Sequence, residues 1–146
     1  MQIIFIRYGE WENAHINERG KKTMLSVAHK LEKFIHKPNA SIIVADIPRA
    51  IESAAILSKE LQLPEAKRTS ELFAEEESGN LPNIEKAASV VLSASEHKNI
   101  LIVIASREYL ELLPNYILEK RNSEKASVQR GEILIVDIET NTLKTL

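Results

Sequence analysis

A chain of 146 residues, 44% hydrophobic and 27% charged, is sized for one globular domain over residues 1–146 that buries roughly two thirds of its unfolded surface. Its net charge of −2 gives no reason to expect nucleic acid or an anionic membrane as partner, and the lack of cysteine excludes disulfides and thiolate chemistry. The stretch from Met1 to Arg7 lacks a basic leader and is too short for a signal peptide, and no run reaches the length of a membrane span, so a cytoplasmic protein is expected.

The first element is the apolar run Ile3-Ile4-Phe5-Ile6, a short buried strand over 2–6. A helix is predicted from Glu18 to His36, with apolar residues at Met24, Leu25, Ala28, Leu31 and Ile35 near a 3.6-residue period. Asn17 is its N-cap, and Lys37-Pro38-Asn39 stops it. A second strand covers 41–45. The helix after it runs from about Pro48 to Leu61, with Ile51, Ala54, Ala55, Leu57 and Leu61 on its buried side. The segment Glu65 to Asn83 has no periodicity and reads as a long loop carrying Glu75-Glu76-Glu77. A helix from Ile84 to about Glu96 precedes a third strand at 99–104. The fourth helix starts near Arg107 and runs to about Lys120, and Pro114 within it predicts a kink or a late start. The last main strand, 132–138, is expected at a sheet edge and possibly antiparallel, with Leu143 to Leu146 as a short return strand. This alternation predicts a three-layer α/β/α fold around a mostly parallel central sheet.

Open α/β sheets bind ligands beyond the carboxyl ends of their strands. Those ends carry Arg7-Tyr8-Gly9-Glu10, Ala45-Asp46-Ile47-Pro48-Arg49-Ala50 and Ala105-Ser106-Arg107-Glu108. Arginine recurs at each, and its planar fork of donors suits bidentate recognition of phosphate or carboxylate. Taken singly, Arg49 reads as a helix-start residue and Arg7 is as readily a surface cation. Their joint position argues for a site. Trp11 either walls a ligand or packs over the site mouth, and His15 is the histidine able to swing toward it. The run Glu75 to Glu77 supplies a general acid or, more simply, a solvated loop. No glycine-rich nucleotide motif follows a strand, and no residue cluster has metal-ligand spacing. Neither a metal nor a cofactor is expected.

Arg7-Tyr8-Gly9, Arg49-Ala50 with Ser53-Ala54, and Ile104-Ala105-Ser106 stand at three strand ends in order, with Asn17-Glu18-Arg19-Gly20 opening the first helix. This pattern resembles the histidine phosphatase superfamily, the phosphoglycerate-mutase-like proteins, over essentially the whole chain, and most of all its SixA-type phosphohistidine phosphatases. In that family Arg-His-Gly follows the first strand and its histidine takes up the phosphoryl group. Here Tyr8 stands at that position, Ser106 stands where a second histidine is expected, and Ala45-Asp46 replaces the Ser-Pro that opens the second motif. The resemblance implies that Arg7 and Arg49 bind phosphate, with Gly9, Glu10, Trp11, His15 and Arg107 around the pocket. A tyrosine hydroxyl, with an ordinary pKa of about 10, is a poor substitute for the imidazole. The expected function is therefore a catalytically degenerate phosphatase-fold protein with a binding or regulatory role, whose arginine pocket takes phosphate, a phosphorylated ligand such as a phosphoprotein, or a carboxylate. The alternatives are a divergent SixA-type phosphatase acting on phosphohistidine or a small phosphoester, and a protein-interaction domain without a ligand.

Overall fold

A computed structural model describes residues 1–35, 39–118 and 125–146. Among these residues the strands are β1 (Gln2–Arg7), β2 (Trp11–Glu12), β3 (His15–Ile16), β4 (Ala40–Ala45), β5 (Lys67–Thr69), β6 (Ile100–Ala105), β7 (Ile133–Asp137) and β8 (Thr142–Thr145). The helices are α1 (Glu18–Glu32), α2 (Pro48–Leu61), α3 (Ile84–Ser95) and α4 (Arg107–Ile117). None of the described helices is long and apolar enough to cross a membrane.

Local chemistry sets most of these boundaries. Asn17 accepts a hydrogen bond from the Gly20 amide at 2.8 Å and caps α1. Asn83 caps α3 in the same way, through the Lys86 amide at 3.2 Å. Pro48 opens α2, where its missing N–H is not needed. The helix α4 begins at Arg107 with Pro114 inside it, so the proline does not delay its start. Expected ends at His36 and Lys120 lie outside the described residues, as does the stop at Lys37-Pro38.

One sheet holds the order β5-β4-β6-β1-β7-β8. Strands β5, β4, β6 and β1 are parallel, while β7 runs antiparallel to β1 and β8 antiparallel to β7. The chain moves in one direction across the sheet through α1 and α2, then back through α3. Right-handed crossovers therefore put α1 and α2 on one face and α3 on the other. The packing agrees: α1 lies against α2, and α3 against α4. The result is the expected three-layer α/β/α arrangement. Its core is a continuous cluster in which Ile3, Ile4, Phe5 and Ile6 of β1 and Ile102, Val103 and Ile104 of β6 are fully enclosed.

The order of strands departs from the sequence reading in three places. The strand at 133–137 is antiparallel but internal, because the return strand β8 covers it and takes the edge. The loop expected over 65–83 contains β5, which forms the opposite edge. Its residues, Lys67-Arg68-Thr69, are too few and too polar to signal a strand, and they pair with β4 through the backbone. A small hairpin, β2–β3, lies where only a loop was expected. The buried faces of the helices also differ in detail. Leu25 and Ala55 are exposed, while Val27 of α1 and Ala50 of α2 are buried.

The hairpin is drawn against α1 by two glycines. A side chain on Gly9 would place its Cβ 2.7 Å from the Gly20 carbonyl oxygen. One on Gly20 would come within 2.6 Å of Ile16 Cγ1 and collide with the Glu10 backbone. Only bare backbone fits at this crossing. Gly20→Ala is expected to destabilise the protein by roughly 1–3 kcal/mol, read as a lower midpoint in chemical denaturation.

Candidate functional site

Strand register brings four strand ends to one level. Arg7 pairs with Ala105, Val44 with Ile104, and Ala45 with Thr69. The segments that follow, starting at Tyr8, Asp46, Ser70 and Ser106, leave the sheet together at its carboxyl edge. The strand β7 enters at the same edge, since Ile133 pairs with Ile6.

Arg49 is the most heavily constrained charge here. It lies in the first turn of α2 and is only 9% exposed. Its guanidinium carbon is 4.1 Å from the centre of the Trp11 ring, 5.2 Å from Tyr8 and 5.8 Å from Phe73. Stacking on tryptophan in a desolvated setting contributes about 2 kcal/mol. The Glu75 carboxylate approaches no closer than 3.9 Å, and among the described residues Arg49 Nε is buried without a hydrogen-bond partner. A buried guanidinium with spare donors has a standing demand for an acceptor.

Arg7 ends β1, immediately before Tyr8. Burial, reinforced by the charges of Arg130 and Arg107, holds its guanidinium below the ordinary arginine value against the opposing pull of Tyr8 and Glu108. Arginine remains charged at neutral pH regardless. The edge therefore concentrates like charges, which an incoming anion would relieve. Arg107 is mostly exposed and makes loose ion pairs with Glu108 and Glu111 at 3.5 and 4.0 Å.

The remaining expected residues have structural partners. Tyr8 is buried, its ring beneath Arg49. The Gly9 amide donates to Ser53 Oγ at 3.0 Å, and that hydroxyl donates to the Arg49 carbonyl at 2.8 Å. This chain of bonds ties the segment after β1 to the first turns of α2. Ser106, 2% exposed, directs its hydroxyl to the loop after β5, accepting from the Ala74 amide at 3.1 Å. Its hydroxyl is thus committed to backbone. Glu10 accepts from Thr23 Oγ1 at 2.8 Å and pairs with Arg19 at 3.0 Å. Burial pushes its carboxyl up, but the hydrogen bonds from Thr23 and a backbone amide, with the charges of Arg19 and Arg130, outweigh that and leave it low.

His15 does not join the arginines. Its Nδ1 lies 2.9 Å from Glu52 Oε2, on α2, while the other oxygen of Glu52 accepts from the Ile16 amide at 2.9 Å. The carboxylate thus clamps the hairpin to α2. Of the other described histidines, His29 lies on α1 beside Glu32, and His97 precedes β6 at the opposite edge of the sheet. Glu76 and Glu77 lie on an exposed single turn, so Glu75 is the member of the acidic run that reaches Arg49. Among the described residues no three acidic or histidine side chains gather as a metal site requires.

Phe73 and Arg130 were not foreseen. Phe73 comes from the aperiodic loop after β5, where only three-dimensional closure reveals it. Arg130 belongs to the turn before β7, and its position follows once β7 is known to be antiparallel to β1.

No protein-family model and no curated protein sequence matches the chain. Its fold is that of the histidine phosphatases. It is similar to the protein histidine phosphatase SixA complexed with tungstate, with a TM-score of 0.78 and 15% identity over 100% of this chain and 94% of that one. It is also similar to a mutant phosphoserine phosphatase from Entamoeba histolytica in complex with phosphoserine, at TM-score 0.69 and 14% identity over 99% of this chain and 94% of that one. A mycobacterial glucosyl-3-phosphoglycerate phosphatase complexed with VO3 matches at TM-score 0.66 and 12% identity over 99% and 96%.

The Glu52 clamp gives a pH-dependent prediction. Burial raises its carboxyl, but the Ile16 amide, His15 and Lys21 together depress it below its ordinary value of 4.5. A depressed carboxylate stabilises the fold above that value and loses the contribution as pH falls through its folded one. Thermal midpoints measured from pH 6 downward should therefore fall less steeply for Glu52→Gln than for the parent, from a lower starting point.

Proposed function

We propose that residues 1–146 form one domain of histidine-phosphatase type that binds an oxyanion at Arg7 and Arg49 and does not turn it over. The favoured ligand is phosphate or a phosphorylated group. The reading rests above all on Arg49, whose buried guanidinium keeps an unpartnered Nε above Tyr8, the residue that follows Arg7 at the end of β1. Solved proteins of this fold hold tungstate, VO3 or phosphoserine, which agrees with a phosphoryl-sized ligand.

The argument against turnover is chemical. Phosphoryl transfer through the enzyme needs an activated nucleophile, and electrostatic stabilisation by arginines does not supply one. Among the described residues no carboxylate or imidazole hydrogen-bonds to the Tyr8 hydroxyl, whose ring packs under Arg49. His15 is engaged by Glu52, and the hydroxyl of Ser106 is engaged by Ala74. A divergent phosphatase is the second reading. The observation in its favour is Glu75, a half-exposed carboxylate near Arg49 that could protonate a leaving group.

Two measurements test the proposal. Orthophosphate at 10 to 100 times its dissociation constant should stabilise the fold by about 1–3 kcal/mol in thermal denaturation. Arg49→Ala should abolish that gain, and a gain that survives in the double Arg7→Ala, Arg49→Ala variant would move binding elsewhere. Trp11, the single tryptophan, stacks on Arg49, so its fluorescence should change on titration with orthophosphate. Hydrolysis of aryl phosphate and phosphohistidine should be negligible for the parent. Robust turnover lost on Tyr8→Phe would instead make Tyr8 the nucleophile.

A further inference from the structure

The turn that delivers Arg130 is built rather than loose. The Glu132 amide donates to the Gln129 carbonyl at 3.0 Å, and the Glu132 carboxylate accepts from the Gln129 amide at 2.8 Å. Gly131, at φ +87°, supplies the left-handed third position that such a turn requires. Lys30 of α1 donates to the Gly131 carbonyl at 3.1 Å and anchors the turn to the helix. Arg130 therefore has a fixed backbone, and among the described residues its Nε is buried without a hydrogen-bond partner.

Arg130 faces two ways. Its charge acts on Arg7 at the strand ends, and it also lines an open groove of about 480 Å³ between α1 and the turn. The cations of that groove are Arg19, Lys22, Lys30 and Arg130, against one carboxylate, Glu132, which is engaged with Gln129. Arg19 is paired with Glu10, and Lys30 with a carbonyl. Glu10 also acts on the charge of Arg130, so Lys22 and the unpartnered Nε of Arg130 are what remain to attract a ligand. A chain with net charge −2 has concentrated positive charge on this groove, and one of its cations, Arg130, also acts on Arg7.

We infer that the groove lined by Arg130 and Lys22 is a second anion subsite, so that the ligand is one whose phosphoryl group at Arg7 and Arg49 is followed by a second anionic group. This rests on the reading of Arg7 and Arg49 as a phosphoryl site and specifies the class of ligand that site takes. Two sources carry the required chemistry: a small molecule with consecutive phosphoryl groups, and a phosphorylated residue followed by acidic ones.

Binding to the full chain at low salt, followed by Trp11 fluorescence and by thermal shift, tests it with three probes. These are orthophosphate, inorganic tripolyphosphate, and a phosphoserine peptide continued by two aspartates. At least one longer probe should bind 10-fold or more tightly than orthophosphate. Lys22→Glu and Arg130→Gln should each cut that advantage at least threefold, whereas Lys59→Glu, the same charge change on the far part of α2, should not. A gain confined to tripolyphosphate assigns the small-molecule source, and a gain confined to the peptide assigns the protein source. Orthophosphate binding with no gain from either longer probe overturns the second subsite and leaves the first intact. A gain lost equally on Lys59→Glu is general charge attraction and also overturns it. Failure of orthophosphate to bind at all removes the phosphoryl site on which the inference stands.

Discussion

Backbone pairing at the carboxyl edge governs everything placed there. Because Arg7 pairs with Ala105 and Ala45 with Thr69, four segments leave the sheet at one height, and the fifth arrives there with β7. A one-residue slip of β1 would reverse the facing of each of its side chains and carry Arg7 off this level. The register is held by enclosed isoleucines and valines of β1 and β6, so the core and the site share one determinant. The crossing of Gly9 over Gly20 then folds the segment after β1 down onto α1, bringing Trp11 across the guanidinium of Arg49.

The fold accepts a costly arrangement at this edge. Burying a guanidinium without a close carboxylate forfeits solvation, and aromatic stacking returns only part of it. Arg7, Arg107 and Arg130 add mutual repulsion. Where the surrounding residues need rigidity alone, they use paired groups: Glu10 with Thr23 and Arg19, Glu52 with His15 and Ile16. The contrast between these satisfied carboxylates and the under-satisfied arginines separates scaffold from candidate site.

Much of this was legible from the residues. Continuous apolar runs marked β1, β4 and β6, and Asn17 and Pro48 marked the starts of α1 and α2. The arginines at three strand ends were visible because a parallel sheet carries the carboxyl end of each of those strands to one edge. What was hidden has physical reasons. Strand β5 is three polar residues held by backbone bonds, which leave no trace in side-chain pattern. His15 looked free because its partner, Glu52, is remote in sequence and meets it only when the hairpin docks. Ser106 gave no hint that its hydroxyl turns toward Ala74. Arg130 follows from the antiparallel entry of β7, a feature of topology rather than of local sequence.

The central claim is that Arg7 and Arg49 hold one oxyanion that is not consumed. A crystal structure of the chain grown with tungstate tests it most directly. The account predicts a single ordered tungstate within hydrogen-bond distance of both guanidinium groups, with Arg49 Nε or a neighbouring nitrogen as donor and no bond to Tyr8. Tungstate bound to only one of the two arginines, or ordered at another part of the surface while this edge stays unchanged, would contradict it.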